Sequence, residues 1–224
     1  MKVKDHMTLD PITAPPEASH REAVDLMRTN GIRHLPIVDK QDRLVGIVVE
    51  EDLLSAQPSP ATTLSIYEIY SLLEKLKLEQ IMSTPVLTVD EDCTISAAAR
   101  IMIENRIGCL PVMRGDKLVG IITDTDIFKT FVEVLGGGEP GLRVTLCVPD
   151  KKGMLAAVAE AFAEAGGDIV SLTTFQPRDS ERGQVSIKER GADLGKLRKL
   201  LQKLDGVDVL DIRPGGQDKA RTYG

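Results

Sequence analysis

The residues best suited to chemistry lie in Gly120-Ile-Ile-Thr-Asp-Thr-Asp126, where an apolar strand gives way to a helix. A helix start offers free backbone amides, and with a hydroxyl and a carboxylate beside them it can hold a phosphorylated sugar. Thr123 can donate to a phosphate oxygen, and Asp126 can accept from both hydroxyls of a ribose. The same spacing serves the chain itself, with Thr123 as N-cap, Asp126 three positions on and an acid set against the helix dipole. The two readings do not exclude each other. A weaker copy occurs earlier, with Gly46 and Asp52 in place but Val49 where the hydroxyl should be. Losing one hydrogen bond to a charged group costs about 1.5–3 kcal/mol, so the second copy is expected to hold such a ligand more tightly than the first. Phosphate neutralisation falls to Arg33, Arg106 and Lys129, or these are solvated surface charges. His34 can stack on a base or be a partly buried, satisfied histidine.

The motif recurs because the chain repeats. A shift of 75 places superposes Met7 on Met82, Thr13 on Thr88, Ala23 on Ala98, Met27 on Met102 and Pro36 on Pro111. At a shift of 74, Leu44-Val-Gly-Ile47 and Asp52 fall on Leu118-Val-Gly-Ile121 and Asp126. Each copy reads as a short extended segment (11–14, 86–89), a helix, two strands and a final helix, a β-α-β-β-α unit. Ser19 and Glu22 carry the S-x-x-E cap of the first helix. The two pairs of matched methionines read as core residues. Units of about 50 residues hide too little apolar surface to stand alone, so the copies are expected to pack together. A link at 57–78 joins them, and its helix, with Ile66, Ile69, Leu72, Leu73 and Leu76 at spacings of three and four, is expected to lie on the pair.

Composition narrows the function. The chain has 224 residues, 42% of them apolar, and a net charge of −6 with both signs mixed along it, which argues against nucleic-acid binding. There is no run of about 18 apolar residues for a membrane span and no secretory core at the start, so a cytoplasmic location is expected. Three cysteines (Cys93, Cys109, Cys147) and three histidines show no ligand spacing, so no metal site is expected. The sequence contains no nucleophile with a neighbouring base and no P-loop, so no catalytic residue is assigned.

Gly136 to Gly141 is read as a hinge, and beyond it the pattern changes. Leu142, Val144, Leu146 and Val148 alternate as a strand. A helix from Met154, strands at 168–176 and 184–189, a helix with Leu194 to Leu204 and a last strand at 207–212 complete β-α-β-β-α-β, the ferredoxin-like order. Residues 215–224 read as a tail.

These residues carry resemblances. Gly120 to Asp126, with Ile107-Gly-Cys-Leu-Pro111 upstream and Thr88 further back, resembles a cystathionine β-synthase (CBS) domain. The two copies together resemble a CBS pair over 1–56 and 79–135. The resemblance implies two units packed sheet to sheet, with adenosine compounds in the clefts between them. It assigns ligand contacts to Thr88, Gly108, Pro111, Gly120, Thr123 and Asp126, and in the weaker copy to Thr13, His34, Pro36, Gly46 and Asp52. AMP, ADP, ATP or S-adenosylmethionine is the implied regulatory ligand, with no catalytic cofactor. Val148-Pro-Asp-Lys-Lys-Gly-Met-Leu155 resembles the ligand loop of ACT domains over 142–214. It implies amino-acid binding at Asp150, Gly153, Met154 and Leu155, or dimerisation without a ligand. The fold class is therefore α+β, a CBS pair followed by a ferredoxin-like ACT domain. The whole order is similar to the acetoin utilization protein B family. What this implies is a non-catalytic regulatory sensor, forming a homodimer and acting on an unidentified protein target. An interaction scaffold with vestigial clefts and a nucleotide-processing enzyme are the alternatives.

Overall fold

The computed structural model describes residues 1–59, 63–177 and 181–215, so part of the expected link (60–62), part of the turn after 176 and the expected tail from 216 on lie outside the described residues. The chain forms two compact units, Met1–Phe128 and Lys129–Gly224.

The first unit contains both repeats. After β1 (Thr8–Leu9), helix α1 (His20–Asn30) opens at Ser19, which donates its N–H to Glu22 Oε2 at 2.6 Å and accepts from the Glu22 N–H at 3.3 Å. It closes at Gly31, where φ of 63° suits a residue without Cβ. Strands β2 (His34–Val38) and β3 (Leu44–Val49) form an antiparallel pair and lead into α2 (Glu50–Ser55). Ala23, Met27, Leu35, Ile37, Val48 and Leu53 make this repeat's core. The linking helix α3 (Ile66–Lys75) touches α1, with an Arg21–Glu74 ion pair at 2.7 Å. It contains no buried residue, and Ile66 and Tyr67 are 62% and 83% exposed. The expected apolar stripe is present, but it packs only partly on the pair.

The second repeat follows the same order. Strand β4 (Val89–Asp90) runs parallel to β5 (Cys109–Arg114), which pairs antiparallel with β6 (Lys117–Thr123). Helix α4 (Ile95–Asn105) lies between β4 and β5 in sequence, and α5 (Asp124–Val134) follows β6 directly. Ile95, Ala98, Met102, Leu110, Val112 and Ile122 form its core.

The segment preceding each repeat completes the sheet of the other. β1 pairs antiparallel with β6, Leu9 opposite Gly120, and Ser83 bridges Ile47 of β3. The contacts are close enough to require glycine. A Cβ on Gly120 would stand 2.5 Å from Met7 Sδ and 3.0 Å from the Thr8 carbonyl oxygen. One on Gly46 would collide with Met82 Sδ. The methionine and glycine matched by the repeat are thus partners across it, and each pair ties the two copies together.

The second unit has strand β7 (Leu142–Pro149), α6 (Met154–Glu164), β8 (Asp168–Phe175), β9 (Arg182–Arg190), α7 (Leu194–Leu201) and β10 (Asp208–Pro214). The antiparallel sheet has the order β10-β7-β9-β8, and Val158, Phe162, Ile187, Leu197 and Leu201 fill its helical side. On the other face Lys188, 1% exposed, donates to the Gly136 carbonyl, and Arg143 donates to the Leu135 carbonyl at 3.0 Å. The first glycine of the expected hinge is therefore held by a buried ammonium.

Candidate functional site

Where the repeats meet inside the first unit, a cleft of about 430 Å³ opens. The end of β3 and the start of α2 supply Val49, Glu50 and Asp52, and the start of β2 supplies Arg33 and His34. The second repeat contributes Arg106, Gly108, Cys109 and Pro111 from the entry to β5, and Asp124 from the first position of α5. Ser83 and Pro85 to Leu87 close one side. The walls are thus partly apolar, with charged groups of both signs at the rim, the usual build of a small-molecule site.

The two motif acids behave differently. Asp126 Oδ2 accepts both the Thr123 N–H at 3.0 Å and the Thr123 hydroxyl at 2.7 Å, while Thr123 Oγ1 takes the Asp126 N–H at 3.3 Å. The capping reading is realised there, and neither residue lines the cleft. Asp52 Oδ2 accepts the Val49 N–H at 2.9 Å, but Val49 has no hydroxyl to offer. Asp52 does line the cleft, half-buried at its edge. Removing the hydroxyl leaves the carboxylate with one internal partner fewer.

Titration follows burial. His34 is pushed below its ordinary value, first by desolvation and then by the Arg33 charge, against smaller pulls from Asp124, Asp126 and Glu50. The Cys109 thiol is pushed up to about 12 by burial and by the nearby Asp124 carboxylate, which keeps it protonated and unreactive.

The structure distributes the residues singled out from sequence. Gly108, Pro111, His34 and Asp52 come together in the cleft, with Arg33 and Arg106. Gly46 and Gly120 lie behind it, packed against Met82 and Met7. Pro36 is buried within β2. Thr13 and Thr88 line two recesses separate from the cleft and from each other. Lys129 belongs to the second unit. Sequence reasoning weighed Asp124 only for the enzyme alternative, not as a ligand contact, and passed over the stretch from Ser83 to Leu87. A signal existed for the first, because the shift of 74 sets Asp124 on Glu50, an acid in both copies. In the second unit, Gly153 caps α6 with φ of 85° and open space around it, while Asp150 Oδ2 accepts from Gln176 Nε2 at 3.0 Å.

Two β-α-β-β-α repeats that exchange edge segments and enclose a shared cleft define a paired module, here followed by a ferredoxin-like unit. The chain belongs to the CBS domain family, matched at residues 3–59 and 78–133, and its second unit matches the ACT domain at 143–206. Among solved structures, a Vibrio cholerae protein assigned to acetoin utilization (AcuB) is 38% identical with a TM-score of 0.51, covering 61% of this chain and 93% of that one. The CBS pair of a protein crystallised with 5′-methylthioadenosine and S-adenosyl-L-methionine is 32% identical with a TM-score of 0.49, covering 58% and 95%. An uncharacterised protein of Methanocaldococcus jannaschii is 36% identical over 141 residues, 61% of this chain and 33% of that protein. The chain therefore spans about a third of this curated relative. No helix among the described residues is long and apolar enough to cross a membrane.

Proposed function

We propose that the protein is a non-catalytic sensor that holds an adenosyl ligand, AMP, ADP, ATP or S-adenosylmethionine, in the cleft between its CBS repeats. The observation that carries this reading is the convergence of both repeats on one cavity of about 430 Å³, with Asp52 at its edge and Gly108 and Pro111 in its wall. Asp52 accepts the ribose hydroxyls, the entry to β5 faces the base, and Arg33 and Arg106 face the phosphate or carboxylate end. The ACT unit binds an amino acid at Asp150, Gly153, Met154 and Leu155 or serves for pairing alone. The functional form is a cytoplasmic homodimer that acts on a protein target, in acetoin metabolism or a related carbon pathway.

Isothermal calorimetry of the intact chain against AMP, ADP, ATP and S-adenosylmethionine tests the reading. Binding of at least one is expected, weakened about tenfold or more in Asp52→Asn by loss of a charged hydrogen bond. No heat from any of them at millimolar concentration would remove the proposal. A second reading, an interaction scaffold with vestigial clefts, draws on the Thr123 hydroxyl being bonded to Asp126 at 2.7 Å. It predicts the same absence of heat together with an unaltered partner set.

A further inference from the structure

Two polar atoms in the cleft face the space beside Gly108 and make no hydrogen bond among the described residues. A Cβ built on Gly108 would lie 3.4 Å from His34 Nε2 and 3.5 Å from Asp124 Oδ2. The Asp124 Oδ1 atom is occupied by the Thr125 N–H and hydroxyl, whereas Oδ2 takes no hydrogen bond among the described residues. The His34 ring likewise makes no hydrogen bond among the described residues, although it is half-buried. Both residues are half-buried and line the open cleft, so the two atoms stay available to a ligand that enters it.

The repeat shows that this arrangement is particular to one side. Shifted by 75, Gly108 corresponds to Arg33 and Cys109 to His34. Only at 108 is the side chain missing, and only there does an imidazole from the other copy face the gap. Any side chain at 108 would fill the space between imidazole and carboxylate.

We infer that His34 and Asp124 form a clamp over Gly108 that reads the amidine edge of a 6-aminopurine ring and rejects 6-oxopurines. The ionised Asp124 carboxylate is acceptor-only, so it matches the exocyclic amino group. His34, kept neutral by its surroundings, has one N–H to donate to the adjacent ring nitrogen. A 6-oxopurine sets a carbonyl oxygen against the carboxylate, a mismatch between two acceptors that no change at the imidazole relieves, and requires His34 to offer its bare nitrogen to the ring N–H in place of its donor. A site built to hydrogen-bond discriminates strongly against a ligand that leaves its groups unpaired. The inference rests on the adenosyl reading of the cleft and adds to it a named determinant of base choice.

The test compares AMP with IMP, which differ only at that edge, by calorimetry on the intact chain. Wild type is expected to bind AMP at least about tenfold more tightly than IMP, the scale of a mismatched base edge. Asp124→Asn, whose amide can turn its NH₂ toward a carbonyl, is expected to reduce that preference about tenfold. His34→Phe, which keeps a flat ring without a donor, is expected to weaken AMP, and His34→Gln to restore part of the loss. Melting curves establish that each variant is folded; should Asp124→Asn fail, the His34 pair decides alone. Equal binding of AMP and IMP by wild type, or an AMP preference unmoved in both sets of variants, overturns the clamp while leaving the cleft reading intact. Absence of binding by AMP, IMP and every other adenosyl compound overturns both.

Discussion

A hydroxyl and a carboxylate three residues apart can satisfy each other or a ligand, and at Thr123 and Asp126 they satisfy each other at 2.7 Å. Thr123→Val should therefore act as the loss of a helix cap, lowering stability by about 1 kcal/mol in urea denaturation. Its effect on adenosyl affinity should be smaller than that of Asp52→Asn. A larger effect on affinity than on stability would return Thr123 to the ligand. His34 supplies a prediction in pH. Its protonation is disfavoured in the folded state and free in the unfolded chain, so below about 6.5, the ordinary histidine value, the unfolded state takes up more protons. Stability is then full above that pH and falls as pH drops toward the lower folded value. His34→Gln should flatten this part of the melting-temperature profile, and an unchanged slope between wild type and variant would contradict the assignment. At this scale the sequence was half legible. The motif acids could be named because the repeat marks them, whereas Gly108 and His34 came from the resemblance to a CBS domain. Which acid faces the cavity could not, since Thr123 and Asp126 have the same spacing whether they bond to each other or outward.

Among the elements, the exchange of edge segments fixes how the repeats meet. Gly120 and Gly46 hold equivalent places, yet what confronts them differs. Beside Gly120 stands the carbonyl oxygen of Thr8 as well as Met7, whereas the three atoms nearest a Cβ on Gly46 all belong to the side chain of Met82. Backbone cannot yield as a thioether can. Gly120→Ala should cost about 1–3 kcal/mol by overpacking, and Gly46→Ala less. Met82→Ala combined with Gly46→Ala should be less destabilising than the sum of the two, as expected for side chains in contact. Additivity in a thermal-melt cycle would refute the contact. The helices and hairpins were readable because periodicity and caps such as Ser19–Glu22 are local signals. β1 was not, since two residues, Thr8 and Leu9, carry no period and pair with Ile121 and Gly120, more than a hundred positions away in sequence. The exposure of α3 was equally hidden, because an apolar stripe records a preference for burial and not its fulfilment.

For the whole molecule, the order of two like units and one βαββαβ unit followed from the repeat and from the change of pattern after Gly141, and the CBS and ACT assignments from the resemblance of their motifs. The pairing order β10-β7-β9-β8 is the one the βαββαβ succession implies. The central claim is that the space between the repeats receives an adenosyl ligand, and hydrogen–deuterium exchange of the intact protein tests it most directly. With saturating AMP or S-adenosylmethionine, slower exchange is predicted in peptides covering 33–34, 49–52, 83–87 and 106–111, the cleft's own lining. Unchanged exchange across all four segments, or protection confined to the loop at 150–155, would contradict the account.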